Sequence, residues 1–479
     1  MSDLVNTNEL PGKIYSDGWR ICSGGTVEVL EPATGTTLAT VGVASSDDVR
    51  AAAARAHHAQ RSWRSVPALE RSELFRRAAT LLTEHTDEAT RWLVREGGST
   101  RQKAAAEISA VLDEMWTAAA LPMQPHGKLL PSEPARRSIA RRVPVGVVGV
   151  ISPWNFPMLL GVRAVAPALA LGNAVVLKPD INTPVSGGFL LSAILRSAGL
   201  PEDVLHIVPG DAETGEAVTA NPDVHMIAFT GSTEVGRKVG AVAGRALKRH
   251  SLELGGNNAL IVLEDADLEL AAAAGAMGTF FHQGQVCMAS GRHIVVESIA
   301  DEYVNELTRR AEKLTLGDPW TTEASLGPLI NEAQLQRVDR IVADSVAANA
   351  ELRTGGHDHG LYYRPTVLAN ITPSMPAFTE EIFGPVAPVI VVVDAEEAVT
   401  LANRTEYGLV AAVHTGSVAR GLAIAEQLDA GIVHVNDQTI SDNAVVPFGG
   451  TGASGNGTRY GADHSWDNFT EWQWLTVNQ

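Results

Sequence analysis

Cysteine is scarce in this chain of 479 residues, which contains only Cys22 and Cys287. Two cysteines so far apart do not make a disulfide framework, and this composition is typical of a protein of the reducing cytosol. Cys22 lies in a loosely patterned N-terminal segment. Cys287 follows Gly284-Gln285 in a loop-like break after an alanine-rich stretch, so its thiol is the candidate for a functional group.

Long apolar runs are also missing. The best candidates, residues 143–151 and 164–171, are interrupted by proline or glycine, and neither reaches the length of a membrane-spanning helix. The N-terminal residues are polar and acidic, without the apolar region of a signal peptide. We therefore expect a cytoplasmic protein that has no membrane as a partner.

Positive charge and metal-binding motifs are sparse as well. Lys and Arg number 37 against 55 Asp and Glu, which gives a formal net charge of −18. This balance disfavours nucleic acids and anionic membranes as partners, and an anionic cofactor would need its own local positive potential. The chain has no CxxC, HExxH or EF-hand spacing, so we expect no metal site. His357-Asp358-His359, between glycines, predicts a polar loop and not a ligand cluster.

Apolar strands that alternate with helices dominate the chain from residue 143 onward. Such strands favour a parallel sheet of the dinucleotide-binding type, and thus an α/β fold. The first set of strands is predicted at Val145–Ile151, Ala174–Leu177, Val204–Val208, Met226–Phe229 and Ser251–Leu254. A second α/β unit follows Gly256, with predicted strands and helices that include Asn258–Leu263, Leu268–Phe280, His293–Val296, Glu332–Ala347, Val389–Val393, Leu409–His414 and Gly431–Val435.

The segment before residue 122 predicts a short hairpin within residues 1–45 and then two or three helices. The first of these helices has Ser46 as its predicted N-cap, with acidic residues in the first turn. Charged residues cluster in the stretches 70–77 and 91–96. We expect these stretches to be solvated helix faces.

Residues 122–142 are rich in proline and arginine, and residues 469–477 alternate like an aromatic strand. A terminal apolar strand needs a partner edge, so we infer that it pairs with the 122–142 segment or with a neighbouring subunit. In so acidic a chain, the basic cluster favours a complementary intersubunit surface over a nucleic-acid site. We predict a homodimer or homotetramer with a cofactor domain at 1–121 and 143–253, a second domain at 254–461, and an oligomerisation element at 122–142 and 462–479.

Three residues suggest catalysis. Glu253 stands 34 residues before Cys287, and both lie beside glycines, so a nucleophile and a general base are available. The alternative for Cys287 is an inert, small apolar side chain. Asn155 lies after a predicted strand and between Pro153 and Pro157. Its amide is suited either to donating to a developing oxyanion or to forming a turn.

Three further motifs suggest a nucleotide. Gly231–Gly236 opens a helix after a predicted strand, which suits a pyrophosphate or a purely structural cap. Lys178 ends a buried strand, where it either contacts a ribose or phosphate or only extends toward solvent. Glu380-Glu381-Ile382-Phe383 offers carboxylates for ribose hydroxyls and a ring beside a heterocycle, although a solvated acidic loop has the same composition.

Together these motifs resemble the aldehyde dehydrogenase superfamily over essentially the whole chain. Seven occur in the family's order: Pro153-Trp154-Asn155-Phe156-Pro157, Lys178-Pro179, Gly231–Gly236, Leu252-Glu253-Leu254-Gly255-Gly256, Gly284-Gln285-Val286-Cys287, Glu381-Ile382-Phe383-Gly384-Pro385 and Pro447-Phe448-Gly449-Gly450. The resemblance implies a Rossmann-type cofactor domain, a catalytic α/β domain and a small β oligomerisation element. It also implies that Cys287 attacks an aldehyde, that Asn155 holds the oxyanion, and that Glu253 activates water to hydrolyse a thioester.

The resemblance implies NAD or NADP as the cofactor. The cofactor-contacting residues that it implies are Ile151, Trp154, Lys178, Asp180, Gly231, Ser232, Gly236, Leu254, Glu381 and Phe383. This chain departs from the common Lys-Pro-Ser-Glu pattern, because Ile181 occupies the position of the carboxylate that often meets the adenosine 2′-hydroxyl. NADP is therefore plausible beside NAD, unless Asp180 substitutes for that carboxylate. A second departure is Gly452, which stands where a lysine is common.

Residues 178–188 and 435–439 look like the benzaldehyde and vanillin dehydrogenase branch, which implies a flat aromatic aldehyde. Phe156 and Phe448 would enclose its ring, or would serve only as packing. Arg163 would meet a polar ring substituent, or would be solvated or structurally paired. The rival hypotheses are an aliphatic or semialdehyde dehydrogenase, a catalytically silent protein that kept the fold, and a cysteine esterase.

Overall fold

A computed structural model describes residues 3–478 of the protein, and strands and helices alternate along most of it. Within that range the strands are β1 (Lys13–Tyr15), β2 (Trp19–Ile21), β3 (Thr26–Leu30), β4 (Thr37–Gly42), β5 (Gly127–Leu130), β6 (Arg136–Pro144), β7 (Val147–Ile151), β8 (Ala174–Lys178), β9 (Leu205–Ile207), β10 (Met226–Thr230), β11 (Arg249–Glu253), β12 (Asn258–Val262), β13 (Ser290–Val296), β14 (Glu351–His359), β15 (Tyr362–Ala369), β16 (Val386–Val392), β17 (Tyr407–Gly408), β18 (Val410–His414), β19 (Ile432–Val435), β20 (Thr451–Gly452) and β21 (Thr470–Asn478).

The helices are α1 (Ser46–Trp63), α2 (Ala68–Glu84), α3 (Thr86–Gly97), α4 (Arg101–Ala120), α5 (Pro157–Ala170), α6 (Leu190–Ser197), α7 (Ala212–Ala220), α8 (Thr233–Arg245), α9 (Leu268–Phe280), α10 (Glu297–Ala311), α11 (Glu332–Ala347), α12 (Pro376–Thr379), α13 (Ala395–Ala402), α14 (Val418–Ala425) and α15 (Ala462–Phe469). No helix within residues 3–478 is both long enough and apolar enough to cross a membrane.

The first sheet has seven strands in the order β11-β10-β7-β8-β9-β1-β2. Strands β11 to β9 are parallel, and the short hairpin β1–β2 adds an antiparallel edge. The strands β7 and β8 are completely buried, which explains their unbroken apolar sequences. The predicted α/β fold is confirmed. Strands β1 and β2 were not predicted, because three residues are too few to show an alternating pattern.

The second sheet also has seven strands, in the order β14-β15-β16-β13-β12-β18-β19. Its strands are parallel except for β14, which forms an antiparallel hairpin with β15. The prediction of a polar loop at 357–359 was wrong, because these residues lie in β14. Two left-handed glycines, Gly355 and Gly356, accompany register shifts in this edge strand and hide its period. No cluster of metal-binding side chains occurs among residues 3–478.

The third sheet joins the chain terminus to the proline-rich segment. Strand β21 pairs antiparallel with β6 over nine residues, and β6 pairs with β5. The predicted pairing with the 122–142 segment is thus confirmed. Arg142, from the basic cluster, forms an ion pair with Asp467 and lies over the ring of Trp472. Trp474, which is 68% exposed, donates to the Ser138 hydroxyl at 2.8 Å.

The helices before residue 122 differ from their prediction in number and in one boundary. Four helices, α1 to α4, occupy residues 46–120. The N-cap of α1 is Ser45 and not Ser46: its hydroxyl accepts from the Asp48 N–H, and the Asp48 carboxylate accepts from the Ser45 N–H. Both serines precede acidic residues, so only the backbone conformation distinguishes them.

Two charged side chains in the stretches predicted to be solvated are buried instead. The Arg71 guanidinium donates to the Ala170 carbonyl at 2.8 Å. The Glu96 carboxylate accepts from the backbone N–H groups of Val185 (2.8 Å) and Ser186 (2.7 Å), and burial raises the pKa of Glu96 to about 7. Their partners lie far along the chain, where sequence periodicity gives no information.

The predicted domain limits at 121, 142, 253 and 461 stay predictions. The strand β6 runs from residue 136 to 144, so the segment that pairs with β21 extends two residues beyond its predicted end at 142. Residues 1, 2 and 479, which the outer domain limits and the signal-peptide prediction include, lie outside the described residues.

Candidate active site

The side chain of Cys287 lies where two cavities meet. One cavity, of about 270 Å³, is bordered by Asn155, Leu160 and Cys287 and continues toward α4 and residues 438–448. A second cavity, of about 190 Å³, shares these three residues and continues toward α8 and residues 381–383. A third cavity of about 600 Å³ shares Trp154 and Gly231 with the second and continues to the end of β8. The thiol therefore stands midway along a cleft with two different ends.

A left-handed turn brings Cys287 to this junction. Helix α9 ends at residue 280, and His282 (φ 50°), Gln283 (φ 56°) and Gly284 (φ 69°) then reverse the chain. Two successive non-glycine residues in this region are uncommon, and their strain must be held by the surroundings. A Cβ at Gly284 would lie 2.1 Å from the carbonyl oxygen of Gly384, so only glycine fits there.

Side-chain amides hold the turn in place. The Gln283 amide donates to the carbonyls of Gly98 (2.9 Å) and Pro328 (2.8 Å). The Gln285 side chain accepts from the Ile330 N–H at 3.0 Å. Both glutamines are buried, so each bond is made away from water and orders the backbone before Cys287.

The amide of Asn155 connects the end of β7 to the cysteine loop. Its Nδ2 donates to the Gln285 carbonyl at 2.9 Å, and the side chain borders both cavities that meet at Cys287. An amide nitrogen carries two hydrogens, so one remains for the cleft. The structure thus brings together Asn155 and Cys287, which are 132 positions apart in sequence.

A buried ion pair that sequence reasoning missed supports Asn155 from behind. Lys103 donates to the backbone carbonyl of Asn155 at 2.7 Å and pairs with Glu107 one helical turn away. The Glu107 carboxylate also accepts from the N–H groups of Met158 (3.0 Å) and Leu159 (3.1 Å) at the start of α5. The i, i+4 spacing of Lys103 and Glu107 was visible in the sequence, but their complete burial was not.

Glu253 ends strand β11 and is buried behind the junction. It borders none of the three cavities, and neither carboxyl oxygen has a hydrogen-bond partner among the described residues. Burial raises the pKa of Glu253 well above its ordinary value, although Arg163 and Arg459 oppose the shift. Gly449 leaves the space that this side chain needs, because a Cβ there would lie 2.9 Å from Oε1.

Burial also raises the pKa of the Cys287 thiol, to about 12, and the carboxyls of Glu381 and Glu253 add to the shift. The thiol form therefore predominates at neutral pH in the protein alone. A nearby positive charge would lower this pKa and produce the reactive thiolate.

Most of the residues predicted to contact the cofactor border the second and third cavities. These residues are Ile151, Trp154, Lys178, Asp180, Gly231, Ser232, Leu254, Glu381 and Phe383. Gly236 borders none of the three cavities. A Cβ at Gly236 would lie 2.3 Å from the Leu254 side chain, so this glycine allows α8 to pack closely on the chain after β11.

The shape of this half of the cleft fits a dinucleotide. Helix α8 begins at Thr233 beside Ser232, and a helix N-terminus attracts a pyrophosphate. Near the thiol, Trp154 and Phe383 lie edge to face with ring centroids 5.4 Å apart, as walls for a flat ring. Glu381 accepts from the Gly256 N–H at 2.9 Å, and burial raises the pKa of Glu381 to about 7.

Two residues of α11, missed in the sequence, fasten the 381–383 segment. Arg337 donates to the Glu381 carbonyl at 2.6 Å, and Gln334 donates to the Phe383 carbonyl at 2.7 Å. Phe383 has a φ of 56°, so its left-handed backbone needs such support. No local sequence motif predicts these contacts, because the two residues of α11 lie about 45 positions before the 381–383 segment.

The other half of the cleft is apolar near the thiol. Phe156 and Phe448, both predicted, border it together with Phe281, Met288 and Ile440, which sequence reasoning missed. Arg163 borders it too, but its guanidinium pairs with Glu114 and Asp442 and is not free in the cleft.

The sequence profile of the aldehyde dehydrogenase family matches residues 19–475. The chain belongs to the aldehyde dehydrogenase family. It is 50% identical over 475 residues to a vanillin dehydrogenase of Amycolatopsis sp., covering 99% of this chain and 98% of that protein. It is 49% identical over 478 residues to a benzaldehyde dehydrogenase (NAD+) of Pseudomonas putida, with the same coverage.

Solved structures agree with this assignment. A crystal structure described as an E. coli NADP-dependent enzyme superposes with a TM-score of 0.95 at 33% identity, covering 100% of both chains. The predicted family, fold and enzyme class are therefore confirmed: this aldehyde dehydrogenase oxidises an aldehyde with a nicotinamide cofactor.

The pKa of Cys287 predicts how the aldehyde dehydrogenase reacts with iodoacetamide when no cofactor is bound. Modification of Cys287 is expected to accelerate about tenfold per pH unit between roughly pH 8 and 10, because the thiolate fraction grows tenfold per unit below the pKa. Peptide mass spectrometry would follow the reaction in a Cys22→Ser variant, which leaves one thiol. A rate that levels off below pH 9 would contradict the high pKa.

Proposed function

We propose that this enzyme oxidises a neutral aromatic aldehyde, of the benzaldehyde or vanillin type, to its carboxylic acid. The observation that carries the proposal is the cavity ending at Cys287, which three phenylalanine rings (Phe156, Phe281 and Phe448) border. Aromatic rings pack favourably against one another, so a cavity bordered by phenylalanine rings selects flat apolar substrates. The identity of 49–50% to proteins named for vanillin and benzaldehyde supports the same substrate class.

In the proposed mechanism, Cys287 is the nucleophile. Its thiol proton passes to water in the cleft, and the thiolate sulfur then attacks the carbonyl carbon, whose oxygen becomes an oxyanion in a thiohemiacetal. The free N–H of the Asn155 amide and the backbone N–H of Cys287 hold this oxyanion. The Asn155 bond to Gln285 and the Lys103 bond to the Asn155 carbonyl fix the donor before the substrate arrives.

When bound, an oxidised nicotinamide would supply the acceptor for the hydride that leaves the thiohemiacetal carbon, and a positive charge beside the thiol. Trp154, Phe383 and Glu381 would hold its end of the cofactor, while Ser232 and Gly231 would border the pyrophosphate. Loss of the hydride converts the thiohemiacetal to a thioester on Cys287. Glu253 is buried behind the cleft in this structure, so its side chain has to turn toward Cys287 and ionise before it acts. It then takes a proton from the water that hydrolyses the thioester and returns a proton to the departing sulfur, which releases the free acid and restores the thiol.

The surroundings of Lys178 favour NAD over NADP. Asp180 and Asp211 lie within electrostatic range of Lys178, and both border the same cavity. Lys238 borders it too, but pairs with Glu234 at 2.7 Å. A 2′-phosphate on the adenosine ribose would meet the carboxylates of Asp180 and Asp211, with that of Glu216 in the same cavity wall, and no unpaired lysine except Lys178, so we infer that NAD is preferred.

A substrate panel tests the proposed function. The value of kcat/KM for benzaldehyde and vanillin is expected to exceed that for propanal at least tenfold, because only a ring fills the aromatic cavity. The formation of reduced cofactor would be followed in the wild type and in Cys287→Ala, which is expected to be inactive. Efficient turnover of propanal alone would favour the aliphatic alternative, and ester cleavage without cofactor binding would favour an esterase.

The role of Glu253 predicts a burst. In Glu253→Gln, one equivalent of reduced cofactor per site is expected in rapid mixing, followed by turnover slowed about 100-fold, because a glutamine cannot accept the proton of water. Glu323→Gln, at an exposed position, is the matched control and should keep wild-type kinetics. Absence of a burst in Glu253→Gln would overturn the order of the two steps.

The cofactor preference predicts a binding difference that calorimetry measures without turnover. NADP is expected to bind at least tenfold more weakly than NAD, and the double variant Asp180→Asn/Asp211→Asn should reduce this ratio several-fold. Asparagine retains the cap that Asp211 provides for α7. The control is Glu213→Gln, which removes an exposed charge outside the cavity. Equal affinities in the wild type would refute the preference.

A further inference from the structure

Arg163 is the only basic side chain that borders the substrate cavity among the described residues, and two carboxylates engage its guanidinium at Nε and Nη2. Its Nε donates to Glu114 at 3.0 Å, and its other edge pairs with Asp442. The guanidinium carbon lies 4.4 Å from the centroid of the Phe448 ring, so one face is covered as well. The side chain is only 7% exposed.

Acidic groups outnumber this one base along the cavity wall. Glu114, Asp442 and the exposed Asp113 all border the cavity, while Glu107 is neutralised by Lys103. Two of the three acids are needed to pair with Arg163, so the wall has a negative balance. A substrate group that reaches this end meets a guanidinium whose single positive charge already faces two carboxylates, with a third carboxylate, that of Asp113, nearby.

A carboxylate on the substrate would therefore be desolvated without gaining a cation. Removing a charge from water is costly unless an opposite charge or several donors replace the water, and like charges add to the cost. A neutral substituent does not suffer this loss. Selection against a substrate by an unfavourable contact is as effective as selection by a favourable one.

We propose that Arg163, held between Glu114 and Asp442, is a specificity-determining residue that makes the enzyme reject aldehydes carrying a second, anionic group. This inference rests on the proposed function and narrows it to neutral aldehydes. It separates this enzyme from one that uses a free arginine to bind a semialdehyde carboxylate. Asp442 is the residue that maintains the rejection, because it occupies the edge of the guanidinium on the loop side.

The test compares two substrates of nearly equal shape, 4-carbamoylbenzaldehyde and 4-carboxybenzaldehyde. Because burial raises the pKa of Glu114 to about 7, assays at about pH 8.5 keep it largely ionised. In the wild type, kcat/KM is expected to be about 100-fold lower for the carboxylate. Asp442→Asn, which frees one edge of Arg163, should reduce this ratio at least tenfold, whereas Asp442→Glu should retain it.

A charge-matched control separates a local effect from a general one. Asp437→Asn removes the same charge from the same loop at a residue that does not border the cavity, and it should leave the ratio unchanged. An equal change in Asp437→Asn and Asp442→Asn, or a wild-type ratio within threefold of one, would overturn the proposal.

A third comparison distinguishes this proposal from the aromatic assignment. Hexanal and 6-oxohexanoate differ in the same charge but have no ring. Turnover of hexanal without turnover of benzaldehyde would refute the aromatic function, while rejection of 6-oxohexanoate would still support the charge selection. Oxidation of benzaldehyde and of 4-carboxybenzaldehyde at similar rates would retain the function and refute the role of Arg163.

Discussion

One hydrogen bond, from the Asn155 amide to the Gln285 carbonyl, determines the geometry on which the site depends. It connects the chain after β7, in the first sheet, to the loop that presents Cys287 before β13, in the second. Each side is braced separately: Lys103 and Glu107 hold the Asn155 turn, and Gln283 holds the cysteine loop. A loop under left-handed strain needs such bracing, because in the proposed mechanism a small displacement of the sulfur from the Asn155 amide would cost much of the rate.

Burial sets the charge state of the groups at this junction. Desolvation raises the pKa values of Cys287, Glu253 and Glu381, although only Glu253 is buried as a whole residue, and each carboxyl raises the pKa of the thiol further. In the protein alone, the raised pKa values favour the uncharged forms of Cys287 and Glu253, the proposed nucleophile and base. A thiol that ionises only when a positive charge is nearby is protected from alkylation and oxidation, because the thiolate is the reactive species. Desolvation therefore keeps the Cys287 thiol protonated until a positive charge is nearby, and it strengthens the effect of that charge when it arrives.

Local sequence patterns predicted many of the helices and strands. They did not predict the burial and pairing of side chains, which depend on contacts between residues far apart in the chain. Helices α9 and α11 begin and end at the predicted residues: α11 has an amphipathic period, and α9 has an alanine-rich sequence that favours a helix. The motifs that follow parallel strands were placed together because strand ends share one sheet edge. The pairing of Arg163, the burial of Lys103 and the supporting residues Gln334 and Arg337 depend on partners about 45 or more positions away. The β14–β15 hairpin was missed because left-handed glycines interrupt its alternation.

An acidic chain that binds an anionic dinucleotide must obtain positive potential without an excess of lysine and arginine. The N-terminus of α8, beside Ser232 at the cleft, is the proposed source of this potential, while Lys238 nearby is already paired. Backbone dipoles attract a pyrophosphate but do not compensate an additional isolated anion, because their field falls off within one turn. At the opposite end of the cleft, the carboxylates of Glu114 and Asp442 pair with Arg163. Acidic side chains outnumber basic ones at both ends, so an extra phosphate on the cofactor and an extra carboxylate on the aldehyde would both meet a negative balance of charge.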